Sequence, residues 1–90
     1  TYITSFIFKA KNIPAALYKA LGGFATNDIN ITKLESYLLN GRFVSAQFYV
    51  EIESHPQRQS FQNAFKELQF FSDEIHILGT YQAHPYRYQK

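Results

Sequence analysis

From Phe43 to Ile52 the side chains alternate without a break. Val44, Ala46, Phe48, Val50 and Ile52 fall on one side, and Ser45, Gln47, Tyr49 and Glu51 on the other. A period of two is that of a strand with one buried face. Upstream, Ile29 to Leu38 alternates well enough for a second strand, and Asn40-Gly41 follows it within Leu39–Arg42. Asn-Gly is a strong two-residue hairpin signal, so these two strands are predicted to be antiparallel neighbours. Near the start, Tyr2–Lys9 is β-branched and aromatic and reads as a strand, but both its sides are partly apolar, so its core face is undefined. Ile75–Tyr81 reads as a further strand.

Two segments switch to helical spacing. After Lys11-Asn12-Ile13 breaks the first strand, Pro14 sits where a first helical residue is pre-set by its fixed φ. Leu17, Ala20, Leu21 and Phe24 then recur on one side, with Lys19 opposite. Gly22 and Gly23 weaken this helix by about 1 kcal/mol each relative to Ala, which is explained by close helix-to-sheet packing. Asn27 is a residue type that takes the left-handed conformation ending a helix. In the second helix Phe61, Ala64, Phe65 and Leu68 form one apolar stripe. Ser54 and Gln57 have the spacing of a capping box at its start, and Ser72-Asp73-Glu74 ends it. The order βαββαβ predicts an α+β fold: a ferredoxin-like two-layer sandwich, an antiparallel four-stranded sheet with two helices on one face. Residues 1–82 form the domain and residues 83–90 a polar, aromatic tail.

Composition narrows the function classes. Ninety residues, 18% of them aromatic, fit one small packed domain, for which oligomerisation would add burial. Without Cys there are no disulfides, thiolate metal sites or cysteine nucleophiles. The net charge of +2 comes entirely from Arg87 and Lys90, so the body is neutral and lacks the basic stripe of a nucleic-acid module. No apolar stretch is long enough to span a membrane, and no signal-peptide pattern opens the chain. A cytoplasmic location is expected. The chain begins at Thr1 and contains no Met, which points to a domain cut from something longer.

Reactive groups are sparse. His55, His76 and His84 have no helically spaced partner that would suggest a metal site, so neither a metal nor a cofactor is expected. Asp73 and Glu74 read as solvated turn charges. Glu35 lies inside a strand and reads as an exposed edge carboxylate paired with Lys33. The helix start at Pro14 leaves the amides of Ala15, Ala16 and Leu17 free to hold a carboxylate, a feature every helix shares. The βαββαβ order also matches the RNA-recognition motif, with Phe6 or Phe8, Phe43 and Tyr49 as stacking candidates. The stretch Gly41–Phe48 departs from that motif's third strand, because its second aromatic falls on the core side.

Four stretches carry a family resemblance. Asn12-Ile13-Pro14-Ala15-Ala16-Leu17, after Ser5-Phe6-Ile7-Phe8, looks like a Pro-Gly-Ala-Leu turn, and Asn27 to Ser36 looks like Asn-Leu-Thr-Lys-Ile-Glu-Ser. Phe48 to His55 is similar to a strand ending in Glu-Gly-His, and Ile77-Leu78-Gly79-Thr80-Tyr81 to a closing Leu-Gly-Ser-Tyr. Together these resemble the ACT domain, specifically the C-terminal regulatory domain of bacterial prephenate dehydratase. The resemblance implies a non-catalytic domain whose missing partner is a lyase converting prephenate to phenylpyruvate in phenylalanine biosynthesis. It also implies a homodimer, with tetramers of the full enzyme left open, that binds L-phenylalanine between two copies for feedback inhibition. The ligand-binding residues it implies are Asn12, Ile13, Pro14, Ala15, Ala16, Leu17, Asn30, Ile31, Thr32, Leu34, Glu35 and Ser36. Within that set the helix start suits the carboxylate, Asn30 and Glu35 the ammonium, and Ile13, Leu17, Ile31 and Leu34 the ring. Two positions depart from the family: Ala15 stands for its Gly, and Tyr37-Leu38 for its Arg-Pro. These departures leave a purely structural dimerisation module as the alternative, with RNA binding more remote.

Overall fold

Six elements follow one another in a computed structural model that describes residues 2–11, 13–38 and 45–83. They are β1 (Tyr2–Lys11), α1 (Ile13–Thr26), β2 (Ile31–Leu38), β3 (Ser45–Glu53), α2 (Gln59–Phe71) and β4 (Glu74–Gln82). The strands form one antiparallel sheet in the order β2-β3-β1-β4. This is the expected ferredoxin-like βαββαβ sandwich. The Asn40-Gly41 turn, Phe43, Val44, His84 and the tail from residue 84 lie outside the described residues, as does Asn12.

The core sits between the sheet and both helices. Phe6, Phe8 and Ala10 of β1 and Ala46, Phe48, Val50 and Ile52 of β3 face Ala20 and Phe24 of α1 and the Phe61, Ala64, Phe65, Leu68 stripe of α2. The ambiguous faces of β1 are thereby resolved. Its even-numbered aromatics are buried, which removes Phe6 and Phe8 from any RNA-stacking surface. The rings interlock: Phe6 meets Phe65 edge-on at 4.8 Å, and Phe61 stacks on Phe65 at 4.2 Å. Such pairs add about 0.5–1.5 kcal/mol beyond their area.

Several local expectations are corrected. The first helix begins one residue before Pro14, at Ile13. The left-handed residue after α1 is Asp28 (φ 56), not Asn27. Asn27 instead turns its side-chain Nδ2 back onto the Gly23 carbonyl at 2.8 Å, while the Asp28 and Ile29 amides donate to Ala25 and Phe24. Ser54 does not cap α2. Its carbonyl accepts from the Thr4 hydroxyl at 2.7 Å, which ties it to the sheet. Pro56 has no amide to offer a cap, and the Gln57 amide is taken by His55 Nδ1 at 3.1 Å. Arg58 is the N-cap residue, without a side-chain bond. Gly22 has open space where a Cβ would stand, whereas a Cβ on Gly23 would meet the Glu67 carboxylate of α2. The close packing is therefore helix to helix, at one glycine only.

Candidate functional site

The edge strand β2 carries most of the expected ligand residues, and its register fixes where each lies. Ile31 pairs with Ile52, which is level with Thr4 of β1, whereas Ser36 pairs with Phe48, level with Phe8. The start of α1 follows the far end of β1, beyond the Lys11–Ser45 pair. From Thr4 to Lys11 is about 23 Å of strand. Within one chain, then, Asn30 and Ile31 lie at the opposite end of the sheet from Ala15, while Ser36 lies near it. The expected ring pocket of Ile13, Leu17, Ile31 and Leu34 does not form within one chain. Leu17 and Ile31 both pack on the core, but at opposite ends of it, and Leu34 is 40% exposed on the sheet edge.

The helix start is less generous than the sequence suggested. In a helix whose first residue is Ile13, the amides of Ala16 and Leu17 fall inside the hydrogen-bonded ladder, and Pro14 has none. The Ile13 and Ala15 amides remain, and Ala15 is exposed.

Glu35 points to the sheet face away from the helices, opposite Tyr49. Lys33 Nζ lies 3.1 Å from its Oε1, and the Tyr37 hydroxyl donates to its Oε2. The Tyr37 hydrogen bond and then Lys33 hold the Glu35 carboxyl below its ordinary value. In return Glu35 raises both Lys33 and Tyr37. The expected Lys33–Glu35 pair is therefore present, with Tyr37 as an additional partner. Beside it Tyr49 donates to Glu51 Oε2 at 2.7 Å, a bond that raises the Tyr49 hydroxyl's pKa. Thr32 marks a bulge in β2 and donates to the Glu51 carbonyl at 3.2 Å.

Asn30 precedes β2, with its carbonyl accepting from the Glu53 amide at 2.9 Å. It borders two cavities. One, of about 350 Å³, is a groove of mixed polarity between α1 and β2, lined by Leu21, Ala25, Ile29 and Ile31 together with Asp28 and Asn30. Leu21 and Ala25 were not among the expected site residues. Their i, i+4 spacing on α1 is visible in the sequence, but only the fold shows that they flank β2. The other cavity, about 290 Å³, is polar and lies toward α2. Among the described residues no group of three His, Asp or Glu gathers as a metal site would require, and no helix is long and apolar enough to cross a membrane.

A small ferredoxin-like domain with an exposed edge strand and an edge groove is thus the class the geometry defines. Comparison with known proteins narrows it. No protein-family model matches the chain. It is 48% identical over 86 residues to the bifunctional N-acyl-homoserine lactone acylase/prephenate dehydratase of Komagataeibacter europaeus, which covers 96% of this chain and 31% of that protein. It is 37% identical over 78 residues to the bifunctional chorismate mutase/prephenate dehydratase of Aquifex aeolicus, covering 87% of this chain and 22% of that one. Among solved structures, the quorum-quenching acylase GqqA superposes with a TM-score of 0.86 at 48% identity, over 96% of this chain and 31% of that one. A prephenate dehydratase from Arthrobacter aurescens, solved in complex with L-Phe, gives 0.80 at 22% identity, over 91% of this chain and 27% of that one, a likeness of fold. The homologues of this chain are prephenate dehydratases, and it spans less than a third of the length of these relatives.

Proposed function

We propose that this chain is the ACT-type regulatory domain of a prephenate dehydratase, non-catalytic by itself, and that it binds L-phenylalanine between two copies. The observation that supports the reading is that, within one chain, Asn30 and Ile31 at the start of the edge strand β2 lie at the opposite end of the sheet from the Ala15 helix start. If two copies pair antiparallel through β2 about its midpoint, Ile31 of one lies opposite Leu38 of the other. Asn30 and the Leu21–Ile29 groove of one copy then approach the Ala15 helix start of its mate. The ring enters the groove, the carboxylate meets the Ile13 and Ala15 amides, and Asn30 takes the ammonium. Relatives that are prephenate dehydratases, and a similar fold solved with L-Phe, support this ligand. The catalytic part of the enzyme, a cytoplasmic lyase of phenylalanine biosynthesis, is the partner the domain regulates. Regulation requires that the ligand prefer one quaternary state.

A titration with L-phenylalanine against L-tyrosine and L-tryptophan, followed by thermal shift and light scattering, tests this. At about 100 times its dissociation constant the ligand adds about 2.7 kcal/mol of stability, and dimers should accumulate. A flat response at millimolar L-phenylalanine would refute the reading. One observation favours a structural dimerisation module instead: Glu35 is already engaged by Lys33 and Tyr37, and Tyr37 stands where the family has Arg. Ala15→Gly separates the two. Tighter binding identifies the Ala15 methyl as crowding the ligand, and no binding in either form leaves dimerisation alone.

A further inference from the structure

One end of the open sheet face is sealed although no helix lies over it. Ile3 is 0% exposed, yet among the described residues it is the one buried apolar side chain outside the core cluster. The unbroken β1–β3 register explains this, because the even-numbered residues of β1 face the helices and Ile3 and Ser5 stand on the other side. Ser5 and its cross-strand partner Glu51 are each only 8% exposed. Ile7 supplies the control. It has the same residue type, strand and face, with Tyr49 and His76 beside it, and it is partly exposed. Ile3 has Glu53 and Tyr81 beside it, and Tyr81 is itself 43% exposed. Side chains standing alongside a pleated position wall it in but leave its top open to water. Something therefore lies over Ile3.

This burial exists in a single chain, so the cover belongs to that chain. Both helices pack on the opposite face, and the turn before α2 lies against Tyr2, which alternation places on the helix side. Residues 39–44 follow Leu38, which pairs with Ala46 at the far end of the sheet. Thr1 is a single small residue. Residues 84–90 start in the right place, because Gln82 pairs with Tyr2, next to the Ile3–Tyr81 pair. Seven extended residues reach about 23 Å. The path from Gln82 over β1 to Glu51 is two strand spacings by three residues, about 14 Å. The composition of His84-Pro85-Tyr86-Arg87-Tyr88-Gln89-Lys90 is also complementary, with two rings for an apolar position and two cations for a region holding Glu51 and Glu53. We propose that residues 84–90 lie across this end of the open face as a strap, with the Tyr86 and Tyr88 rings over Ile3 and Ser5. The strap gives that face a small core of its own. It needs no second copy and no ligand, so it stands or falls separately from the dimer reading.

The test is methyl NMR of the full 90-residue chain with labelled isoleucines, read at Ile3 against Ile7. The Ile3 methyls should show NOEs to tyrosine ring protons that vanish in the Tyr86→Ser/Tyr88→Ser double variant, and the Ile7 methyls should not move. A soluble paramagnetic agent should broaden Ile3 in the double variant and spare it in the wild type, and the variant's Tm should fall by several degrees. Three results would overturn the proposal. One is an Ile3 signal that the double variant leaves in place and still protected. Another is an unchanged Tm. The third is a set of NOEs that a mixed labelled and unlabelled sample assigns to a second copy.

Discussion

The two faces of the sheet are built from alternate residues of the same strands and work by different physics. On the helix-covered face Phe6, Phe8, Phe48, Val50 and Ile52 are at most 1% exposed, and Phe6 meets a ring from each helix, Phe24 and Phe65. On the open face, Lys33, Glu35, Tyr37 and Tyr49 form directed pairs in contact with water. Burial is non-directional and grows with area, whereas exposed pairs are screened and add little. Most of the stability should therefore reside on the helix-covered face, with Ile3, Ser5 and Glu51 as buried positions on the other, and the response to pH and salt in the exposed pairs.

The largest expected effect is on the covered face. Phe6→Ala removes a fully buried ring that touches Phe8, Phe24 and Phe65, and should lower unfolding free energy by about 3–5 kcal/mol in chemical denaturation. A loss below about 1 kcal/mol would mean that the covered face does not carry the stability. Thr4→Val sharpens the contrast, because Thr4 is polar yet 0% exposed on that face. Its hydroxyl lies 2.7 Å from the Ser54 carbonyl and 2.9 Å from Thr80 Oγ1. Valine keeps the shape and strands both partners, so a loss of about 1–3 kcal/mol is expected in the same assay. The next effect has the opposite sign. Gly22→Ala places a methyl in open space on α1 and should raise stability by up to about 1 kcal/mol. A drop in Tm would mean that the helix surface there is not free.

The covered face could be read from the sequence because its period repeats. The alternation of β3 and the four-residue stripe of α2 each report one buried side, and both are found as expected. The corrected positions all depend on a neighbour distant in sequence. Gly23 meets Glu67 across the helix pair, and Ser54 is held by Thr4 fifty residues away. The candidate site shows the same limit more sharply. The residue types of the Asn30–Ser36 stretch are visible one after another, but alternation sends Glu35 to the open face and Leu34 and Ser36 to the other. Register then separates Asn30 from Ala15 by most of the sheet's length.

The smallest effect is the one confined to the open face. Tyr37 and Lys33 hold the Glu35 carboxyl below its ordinary value. A carboxyl lowered by folding contributes stability that is present above its unfolded-state pKa and lost as pH falls through its folded value. Lys33 and Tyr37 are raised, chiefly by their hydrogen bonds to Glu35, so their contribution is present below their unfolded values and lost as pH rises through the folded ones. One substitution should therefore flatten both ends of the profile. Glu35→Gln removes the acid-side loss belonging to this cluster and, with the negative charge gone, most of the alkaline-side loss from Lys33 and Tyr37. Near neutral pH its Tm should barely move, because these groups are solvent-exposed and screened. What remains of the acid limb belongs to other carboxyls, Glu74 among them, which His76 and Lys9 hold low in the same way. Tm measured against pH at low and at high salt separates the outcomes. A wild-type limb that salt does not weaken, or a Glu35→Gln profile that overlies wild type at both ends, would show that the open-face pairs are geometry without energetic consequence.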